Sequence, residues 1–124
     1  IAPYQVNAAG QKIADVAPEA WQRLLDVNLT GVWRCLRHEV AQMRTQGGGA
    51  IVNTASVAAY DGQIGQVAYA SSKGGVVGMT LPMARELSRF GIRVNTIAPG
   101  VFWTPMVDGM PDEVQQSLSA SIPS

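Results

Sequence analysis

Two short apolar segments, residues 50–56 and 92–98, lie on either side of a long helical pattern over residues 67–90. Both segments are rich in β-branched residues and are bounded by turn-forming or small polar residues, as is typical of buried strands. Gly91 follows the helical pattern directly and is expected to end the helix as its C-cap. A strand, a helix and a second strand in this order predict a parallel strand pair joined by a right-handed crossover.

Another helical pattern precedes the first strand, over residues 18–45. Its apolar residues recur at helical spacing, and Pro18 suits the first turn of a helix. Thr30-Gly31 is expected to loosen this helix midway, and the glycines at 47–49 are expected to end it. Residues 1–17 show no sustained period and are predicted to form a loop.

Tyr69 and Lys73 are four residues apart, which places both side chains on one face of the predicted helix 67–90. The positive charge of the lysine favours the phenolate of the tyrosine, so Tyr69 is a candidate general acid and base. Ser56 ends the first predicted strand, and its hydroxyl could hold a substrate oxygen in front of the tyrosine. This trio suits the transfer of a proton to or from an oxygen while a hydride leaves or joins the attached carbon.

The spacing of Tyr69 and Lys73 alone is also typical of a solvated helix face. Its setting favours a functional site, because the pair follows a strand that ends in Ser56, thirteen residues before the tyrosine. Ligands of open parallel sheets bind at the carboxyl edge of the strands, which is where Ser56 is expected to lie. Ser56 could otherwise serve only as a strand-end hydroxyl that bonds to the backbone.

Four segments of the chain, in this order and at this spacing, resemble the short-chain dehydrogenase/reductase family. Together they cover most of residues 18–106. They are Asp26-Val27-Asn28-Leu29-Thr30-Gly31, the strand 51–56, the segment 69–78, and the segment 93–100 followed by Thr104. In detail the motifs are most similar to the branch that oxidises short 3-hydroxyacyl-CoA thioesters and some hydroxysteroids.

The resemblance implies a Rossmann-type α/β fold, a doubly wound parallel sheet, which is partial here. Residues 1–124 are predicted to form one partial domain, in which 18–106 carry the core motifs and 100–124 cover the substrate. The family's glycine-rich phosphate-binding turn does not follow any predicted strand in this sequence. Asn7-Ala8-Ala9-Gly10 matches a family turn only superficially, so we interpret the chain as the middle of a longer or truncated protein.

The resemblance also implies roles for four side chains. Tyr69 is the acid and base, Lys73 assists it and holds the nicotinamide ribose, and Ser56 orients the substrate oxygen. Asn28 matches the family residue that supports a water-linked proton path to the lysine. The alternative for Asn28 is an amide that stabilises an irregularity of the helix at Thr30-Gly31.

The segment after the second strand matches the family turn that contacts the nicotinamide end of the cofactor. A turn that only ends the strand is the alternative. The resemblance implies NAD as cofactor, and NADP remains possible. The residues concerned, in addition to Tyr69 and Lys73, are Pro99, Gly100, Val101, Phe102 and Thr104.

The implied reaction interconverts a secondary alcohol and a ketone, with a 3-hydroxyacyl-CoA or a hydroxysteroid as candidate substrate. A 3-oxoacyl-carrier-protein reductase that uses NADPH is an alternative. A truncated, non-catalytic chain that acts as an oligomerisation module is the alternative from another class.

The helical pattern is apolar nearly all round between residues 74 and 84, so one side needs a partner. The resemblance implies a homodimer or homotetramer built through helices 18–45 and 67–90.

Composition excludes several other functions. The formal net charge of zero gives no reason to expect nucleic acid or a membrane surface as partner. Cys35 is the single cysteine, so no internal disulfide is predicted, and its thiol is expected to be buried and inert. A cytoplasmic location is expected, because a single cysteine fits a reducing compartment and the sequence has no long apolar run. No cluster has metal-ligand spacing, so no metal site is predicted.

Overall fold

The computed structural model describes residues 12–100 of the chain. In chain order its helices and strands are α1 (Pro18–Leu25), α2 (Gly31–Gln46), β1 (Gly49–Thr54), α3 (Val67–Leu87) and β2 (Ile92–Ile97). A π-helical turn, Asp26–Thr30, joins α1 to α2, and short 3-10 turns occupy Ile13–Asp15, Val57–Ala59 and Ser88–Phe90. Of the segment 1–17, predicted as loop, only 12–17 are described, and Asn7-Ala8-Ala9-Gly10 lie outside the described residues.

Strands β1 and β2 pair in parallel, which confirms the predicted strand–helix–strand unit. The register runs from Gly49 opposite Ile92 to Thr54 opposite Ile97. Both strands end slightly earlier than predicted, yet the backbone pairing continues past them. Ala55 N–H donates to Ile97 over 2.8 Å, and Val57 N–H donates to Pro99 over 3.1 Å. The segment that carries Ser56 is therefore held against the turn that follows β2.

Helices α2 and α3 cover one face of this two-stranded sheet. The hydrophobic core between them is formed by buried apolar side chains from both strands and both helices. These side chains are Leu36, Ile51, Leu87, Ile92 and Val94. On the opposite face, Val52 and Ile97 are exposed by 62% and 50%. Alternate residues of β1 thus face the helices, as expected for a strand with one covered face.

The single helix predicted for 18–45 is corrected by the structure, because a π-helical turn divides it. Gly31 N–H bonds to the carbonyl of Asp26, five residues back rather than four. The expected loosening at Thr30-Gly31 is therefore present, and the widened turn begins at Asp26 and contains Asn28. Helix α2 then ends at Gly47, which adopts the left-handed conformation with φ 88°. Gly48 N–H donates to Met43 over 3.0 Å, which completes a Schellman cap.

Gly91 ends the helical segment before β2, as the sequence predicted. It has φ 73° and caps the 3-10 turn that follows α3. This conformation costs glycine little and would strain a residue with a side chain. The chain can therefore turn directly from the helix into the second strand.

The prediction that Cys35 is buried is wrong. Its thiol is exposed, because helix α2 turns the neighbouring Leu36 towards the core and Cys35 away from it. His38 is also exposed.

Close packing inside α3 occurs at Gly75 rather than at Gly74 or Gly78. A Cβ at Gly74 or Gly78 would meet nothing within 4 Å in the described part of the chain. A Cβ at Gly75 would lie 2.8 Å from both terminal methyl groups of Leu29. Gly75 therefore lets α3 approach the π-helical turn, and it lies two residues after Lys73.

Candidate active site

Ser56 lies just beyond the end of β1, between the two backbone bonds that continue the strand pairing. Its backbone is extended, with φ −162° and ψ 153°, and its Oγ accepts a hydrogen bond from Ala58 N–H over 3.1 Å. The backbone role considered as the alternative is thus present. The hydroxyl acts as acceptor in this bond, so its own hydrogen can still be donated to a ligand. The turn Val57–Ala59 packs against α3, which brings Ser56 towards the helix that carries Tyr69.

Tyr69 and Lys73 lie on the same face of α3, as their spacing predicted. The Lys73 Nζ is 5.8 Å from the centre of the Tyr69 ring. Tyr69 is half-buried and packs against a small apolar cluster formed by Leu24 and Ala68. Helix α1 therefore fixes one side of the tyrosine ring, while the lysine lies within range of its π system.

Lys73 reaches from α3 to the carboxyl end of β1. Its Nζ donates a hydrogen bond to the carbonyl oxygen of Thr54 over 3.2 Å, two residues before Ser56. Burial lowers the pKa of the Lys73 ammonium below its ordinary value, because desolvation disfavours the charged form. The side chain therefore links the tyrosine's helix to the strand that ends at the candidate serine.

Asn28 lies within the π-helical turn and is buried. Its Nδ2 is 3.4 Å from the Oγ of Ser72, and Ser72 in turn donates to the carbonyl of Tyr69 over 2.6 Å. A chain of polar groups thus runs from the widened turn to the helical turn that carries Tyr69 and Lys73. The structure brings all four candidate catalytic residues to one region around the start of α3 and the end of β1.

The candidate nicotinamide turn is described only at its start. Pro99 accepts the hydrogen bond from Val57, which places the turn beside Ser56. A Cβ at Gly100 would meet nothing within 4 Å among the described residues, so this backbone is open to close approach. Val101, Phe102 and Thr104 lie outside the described residues, and their roles stay predictions.

Three polar residues near the site were not singled out from the sequence. Ser72 is fully buried, and its position directly before Lys73 in an apolar helix could have indicated it. Asn53 is buried in β1, and its Nδ2 has no hydrogen-bond partner among the described residues. Gln66 precedes α3 and bonds across the loop before it. The burial of Asn53 depends on tertiary packing, and the bond of Gln66 to Gln63 depends on the path of the loop, so neither is evident from the residue pattern.

Other kinds of site are not evident within residues 12–100. In this part of the chain no group of three His, Cys, Asp or Glu side chains is close enough to hold a metal ion. Its helices are also too short or too polar to cross a membrane.

The comparison with protein families shows the family to which this chain belongs. The family described as short chain dehydrogenase matches residues 5–115. The chain belongs to this family. The sequence resemblance is thereby confirmed, and the parallel pair with its covering helices is part of a Rossmann-type α/β fold.

Three curated proteins with different names illustrate what this chain is similar to. The human protein named 3-hydroxyacyl-CoA dehydrogenase type-2 is 52% identical over 111 residues, which are 85% of this chain and 42% of the relative. The rat protein named (3R)-3-hydroxyacyl-CoA dehydrogenase is 42% identical over 109 residues, 87% of this chain and 42% of the relative. The Staphylococcus aureus protein named 3-oxoacyl-[acyl-carrier-protein] reductase FabG is 40% identical over 105 residues, 85% of this chain and 43% of the relative.

A solved structure agrees with the fold of this family member. The crystal structure of 3-hydroxyacyl-CoA dehydrogenase type-2 from Mycobacterium avium superimposes with a TM-score of 0.81 at 40% identity. It covers 91% of this chain, which matches 48% of that protein. The chain thus spans less than half of the length of the relatives it matches.

Proposed function

We propose that the protein is an NAD(P)-dependent oxidoreductase that interconverts a secondary alcohol and a ketone. The observation that carries this proposal is the placement of Lys73 between Tyr69 and the end of β1. Its ammonium is 5.8 Å from the tyrosine ring centre and 3.2 Å from the Thr54 carbonyl. An ammonium in this position can offset negative charge that develops on the tyrosine oxygen during the reaction, and Ser56 lies two residues beyond Thr54.

In the oxidation direction the proposed proton transfer uses three side chains. The Ser56 hydroxyl donates a hydrogen bond to the substrate oxygen and orients it towards Tyr69. The Tyr69 phenolate then takes the proton from the substrate hydroxyl, while the Lys73 ammonium stabilises the negative charge before the transfer. In reduction the tyrosine returns the proton to the carbonyl oxygen.

The residues around Lys73 suit the nicotinamide end of a dinucleotide. One of the three hydrogens on Nζ is directed to Thr54, which leaves two donors for ribose hydroxyls. The open backbone at Gly100 permits close approach of a flat ring. NAD(P), when bound, accepts or supplies the hydride. We propose NAD as the preferred cofactor, with NADP as the alternative.

Asn28 is proposed to support proton exchange between Lys73 and solvent. Its placement in the π-helical turn orients the backbone of this turn differently from that of a regular helix. The amide also contacts Ser72, so structural and relay roles are compatible. The substitution Asn28→Ala would remove both the relay role and the structural role of this amide.

Short 3-hydroxyacyl-CoA thioesters are the proposed substrates, because the 52% identical human relative bears the name 3-hydroxyacyl-CoA dehydrogenase type-2. Reduction of 3-oxoacyl groups on acyl carrier protein is the second candidate, supported by the 40% identical FabG relative. A hydroxysteroid is the third candidate. The first two candidates differ in the carrier of the acyl group and in the favoured cofactor.

We also propose that the protein forms a homodimer or homotetramer through α2 and α3. Trp33 on α2 and Leu81 on α3 are exposed by 49% and 55%, although both are large apolar residues. Gly78, three residues before Leu81, leaves room for another helix to approach. A second copy would bury these groups and cover the outer side of α3.

The experiment that tests the function is a titration of the protein, expressed at its native length, with NADH and NADPH. Binding raises nicotinamide fluorescence, and oxidation of 3-hydroxybutyryl-CoA with NAD follows as an absorbance increase. Tight binding of one nucleotide together with turnover of the thioester would support the proposed oxidoreductase activity. Absence of both, in a folded protein, favours the non-catalytic oligomerisation module.

A further inference from the structure

Helix α3 is tied to each strand of the sheet by one polar contact. Lys73 reaches the carbonyl oxygen of Thr54 at the end of β1. The Oγ1 atoms of Thr80 on α3 and Thr96 on β2 lie 2.6 Å apart, which is hydrogen-bond distance for two hydroxyls. Thr54 and Thr96 belong to the last two register pairs of the sheet, so both contacts hold its carboxyl end.

Thr80 lies on the same face of α3 as Lys73. The two residues are seven positions apart, which is close to two full turns of an α-helix. Both side chains therefore reach the sheet, from points about 10 Å apart along the helix axis. Because Tyr69 lies one turn before Lys73, one stripe of α3 carries the candidate base, the candidate ribose-binding ammonium and the threonine that contacts β2.

The direction of the hydroxyl bond follows from a second contact of Thr80. Its Oγ1 donates to the carbonyl of Val76 over 3.3 Å, so its single hydrogen is used within the helix. Thr96 then donates to Thr80, and its own oxygen keeps the capacity to accept. Asn53 lies opposite Thr96 in the strand register and is buried. Three polar side chains thus lie at one level of the contact between α3 and the sheet, and a shifted packing would cost them their partners.

Thr96 lies three residues before Pro99, where the candidate nicotinamide turn begins. The chain stays paired up to this point, because Val57 N–H donates to the carbonyl of Pro99 over 3.1 Å. The turn therefore moves with the strand that Thr80 holds. A shift of β2 along α3 would change the distance between this turn and Lys73, which are the two groups proposed to contact the nicotinamide end of the cofactor.

We propose that Thr96 is a positioning residue for the cofactor and that Thr80 acts through it. The bond between the two hydroxyls fixes the height of the candidate nicotinamide turn relative to Tyr69 and Lys73. Neither threonine takes part in proton transfer. The inference rests on the proposed function, because it concerns how that same site holds NAD(P). Loss of the bond weakens cofactor binding and leaves the acid–base chemistry of Tyr69 unchanged.

The test uses four variants of the protein expressed at its native length: Thr96→Val, Thr96→Ser, Thr80→Val and the double variant Thr80→Val/Thr96→Val. Valine keeps the shape of threonine and removes the hydroxyl, whereas serine keeps the hydroxyl. Thr45→Val is the matched control, because Thr45 Oγ1 also donates to a carbonyl, that of Ala41, but lies on α2. The readouts are the Kd of NADH or NADPH, whichever the wild type binds more tightly, the pH profile of kcat, amide hydrogen exchange at Val57, and the midpoint of urea unfolding.

Loss of one hydrogen bond is expected to raise the nucleotide Kd and the exchange rate at Val57 about three- to fivefold in Thr96→Val. The double variant should match the single valine variants rather than multiply their effects, because all of them remove the same bond. Its urea midpoint should stay near that of the wild type, since loss of both hydroxyls leaves neither one unpaired. Thr96→Ser and Thr45→Val should resemble the wild type, and the pH profile of kcat should not move in any variant.

Three results would overturn the positioning role. The first is a Thr96→Val variant that keeps the Kd of the wild type, whether or not exchange at Val57 becomes faster. The second is an equal loss of affinity in Thr96→Ser or in Thr45→Val, because packing or helix stability would then account for it. The third is a double variant whose Kd returns to that of the wild type together with its urea midpoint, because the hydroxyl pair would then serve stability alone.

These outcomes are separable from failure of the proposed function. A folded wild type that binds neither NADH nor NADPH overturns the proposed function and the positioning role together. A wild type that binds one of them, and whose Thr96→Val variant binds it equally well, overturns only the inference about Thr96.

Discussion

Lys73 Nζ donates a hydrogen bond to the carbonyl oxygen of Thr54 over 3.2 Å and so ties helix α3 to the carboxyl end of strand β1. This contact holds the ammonium in place before any ligand binds. It also allows the proposed joint action with Ser56, which lies two residues beyond Thr54, the last residue of the strand. Proximity of this kind avoids an ordering cost during the reaction.

Tyr69→Phe is expected to reduce kcat by about 10²–10⁴-fold, the usual contribution of a general acid or base. The substitution removes only the oxygen that carries the proton, so the Kd of NADH should change little. Lys73→Ala, by contrast, should reduce both kcat and NADH affinity, because the same ammonium serves the phenolate and the ribose. Steady-state kinetics and fluorescence titration measure these effects. A Tyr69→Phe variant that keeps most of its kcat would refute the assigned role.

The effect of Lys73 on the free energy of unfolding is expected to change with pH in the alkaline range, because its charged form is disfavoured by burial. Because burial lowers its folded-state pKa, the unfolded chain binds more protons than the folded chain between the folded and unfolded pKa values. The folded protein is therefore most stable with respect to this group above the unfolded pKa, about 10.4, where the lysine is neutral in both states. This stability is lost as pH falls through the folded pKa. Relative to Lys73→Met, the wild type should gain unfolding free energy as pH rises through this window. Urea unfolding at several pH values tests the sign, and a constant difference contradicts it.

Gly75→Ala and Gly74→Ala form a matched pair in adjacent positions of α3. The new Cβ at Gly75 would lie 2.8 Å from the Leu29 methyl groups, so we expect destabilisation by about 1–3 kcal/mol from overpacking. The new Cβ at Gly74 meets nothing within 4 Å among the described residues, and alanine should stabilise the helix by up to about 1 kcal/mol. Urea midpoints provide the comparison. If both substitutions changed the stability equally, or if Gly74→Ala were the more destabilising, Gly75 would not set the approach of α3 to the π-helical turn.

Much of the fold could be predicted from the sequence because its signals are local. The period of the apolar residues and the position of Gly91 specified α3, both strands and their parallel pairing. The π-helical turn could be placed only near Thr30-Gly31, since the bond from Gly31 to Asp26 depends on packing against α3. Cys35 was assigned to the core because a helical stripe does not determine which adjacent residue faces inward.

The candidate site was predictable to a similar extent. The spacing of Tyr69 and Lys73 fixed their common face, and Ser56 followed from the strand end. The contact of Asn28 with Ser72 joins residues 44 positions apart, which no local pattern encodes. Lys73 donates to the backbone carbonyl of Thr54. Because every residue has such a carbonyl, the sequence cannot indicate which one the lysine contacts.

Leu81→Glu is expected to convert the proposed dimer or tetramer into a monomer. The substitution places a charge on the outer side of α3, where a second copy would otherwise bury an apolar side chain that is 55% exposed in the single chain. Ile13→Glu is the control, because Ile13 is 77% exposed but lies outside α2 and α3. Sedimentation at micromolar concentration measures the change. A well-folded monomeric wild type would rule out the proposed interface.

Residues 1–124 expressed as a separate polypeptide are expected to show no measurable dehydrogenase activity, although they contain Asn28, Ser56, Tyr69 and Lys73. These groups are proposed to serve one end of a dinucleotide, whereas the pyrophosphate needs a glycine-rich turn at a helix N-terminus. No Gly-x-x-x-Gly-x-Gly sequence occurs in these 124 residues. Without that turn the phosphate charges have no matching donors, and NADH should bind weakly.

The sheet itself gives a second reason for this expectation. Val52 and Ile97 remain exposed on the face opposite α2 and α3, so the isolated polypeptide presents apolar surface that favours aggregation or loose packing. The test is an NAD-linked assay with 3-hydroxybutyryl-CoA on the purified 124 residues, alone and after addition of the N-terminal half of a full-length relative as a separate chain. Activity that appears only after addition would show that the two parts can dock to complete the cofactor site. Turnover by the 124 residues alone, within about tenfold of a full-length relative, would mean that tight pyrophosphate binding contributes less than about 1.4 kcal/mol to the reaction.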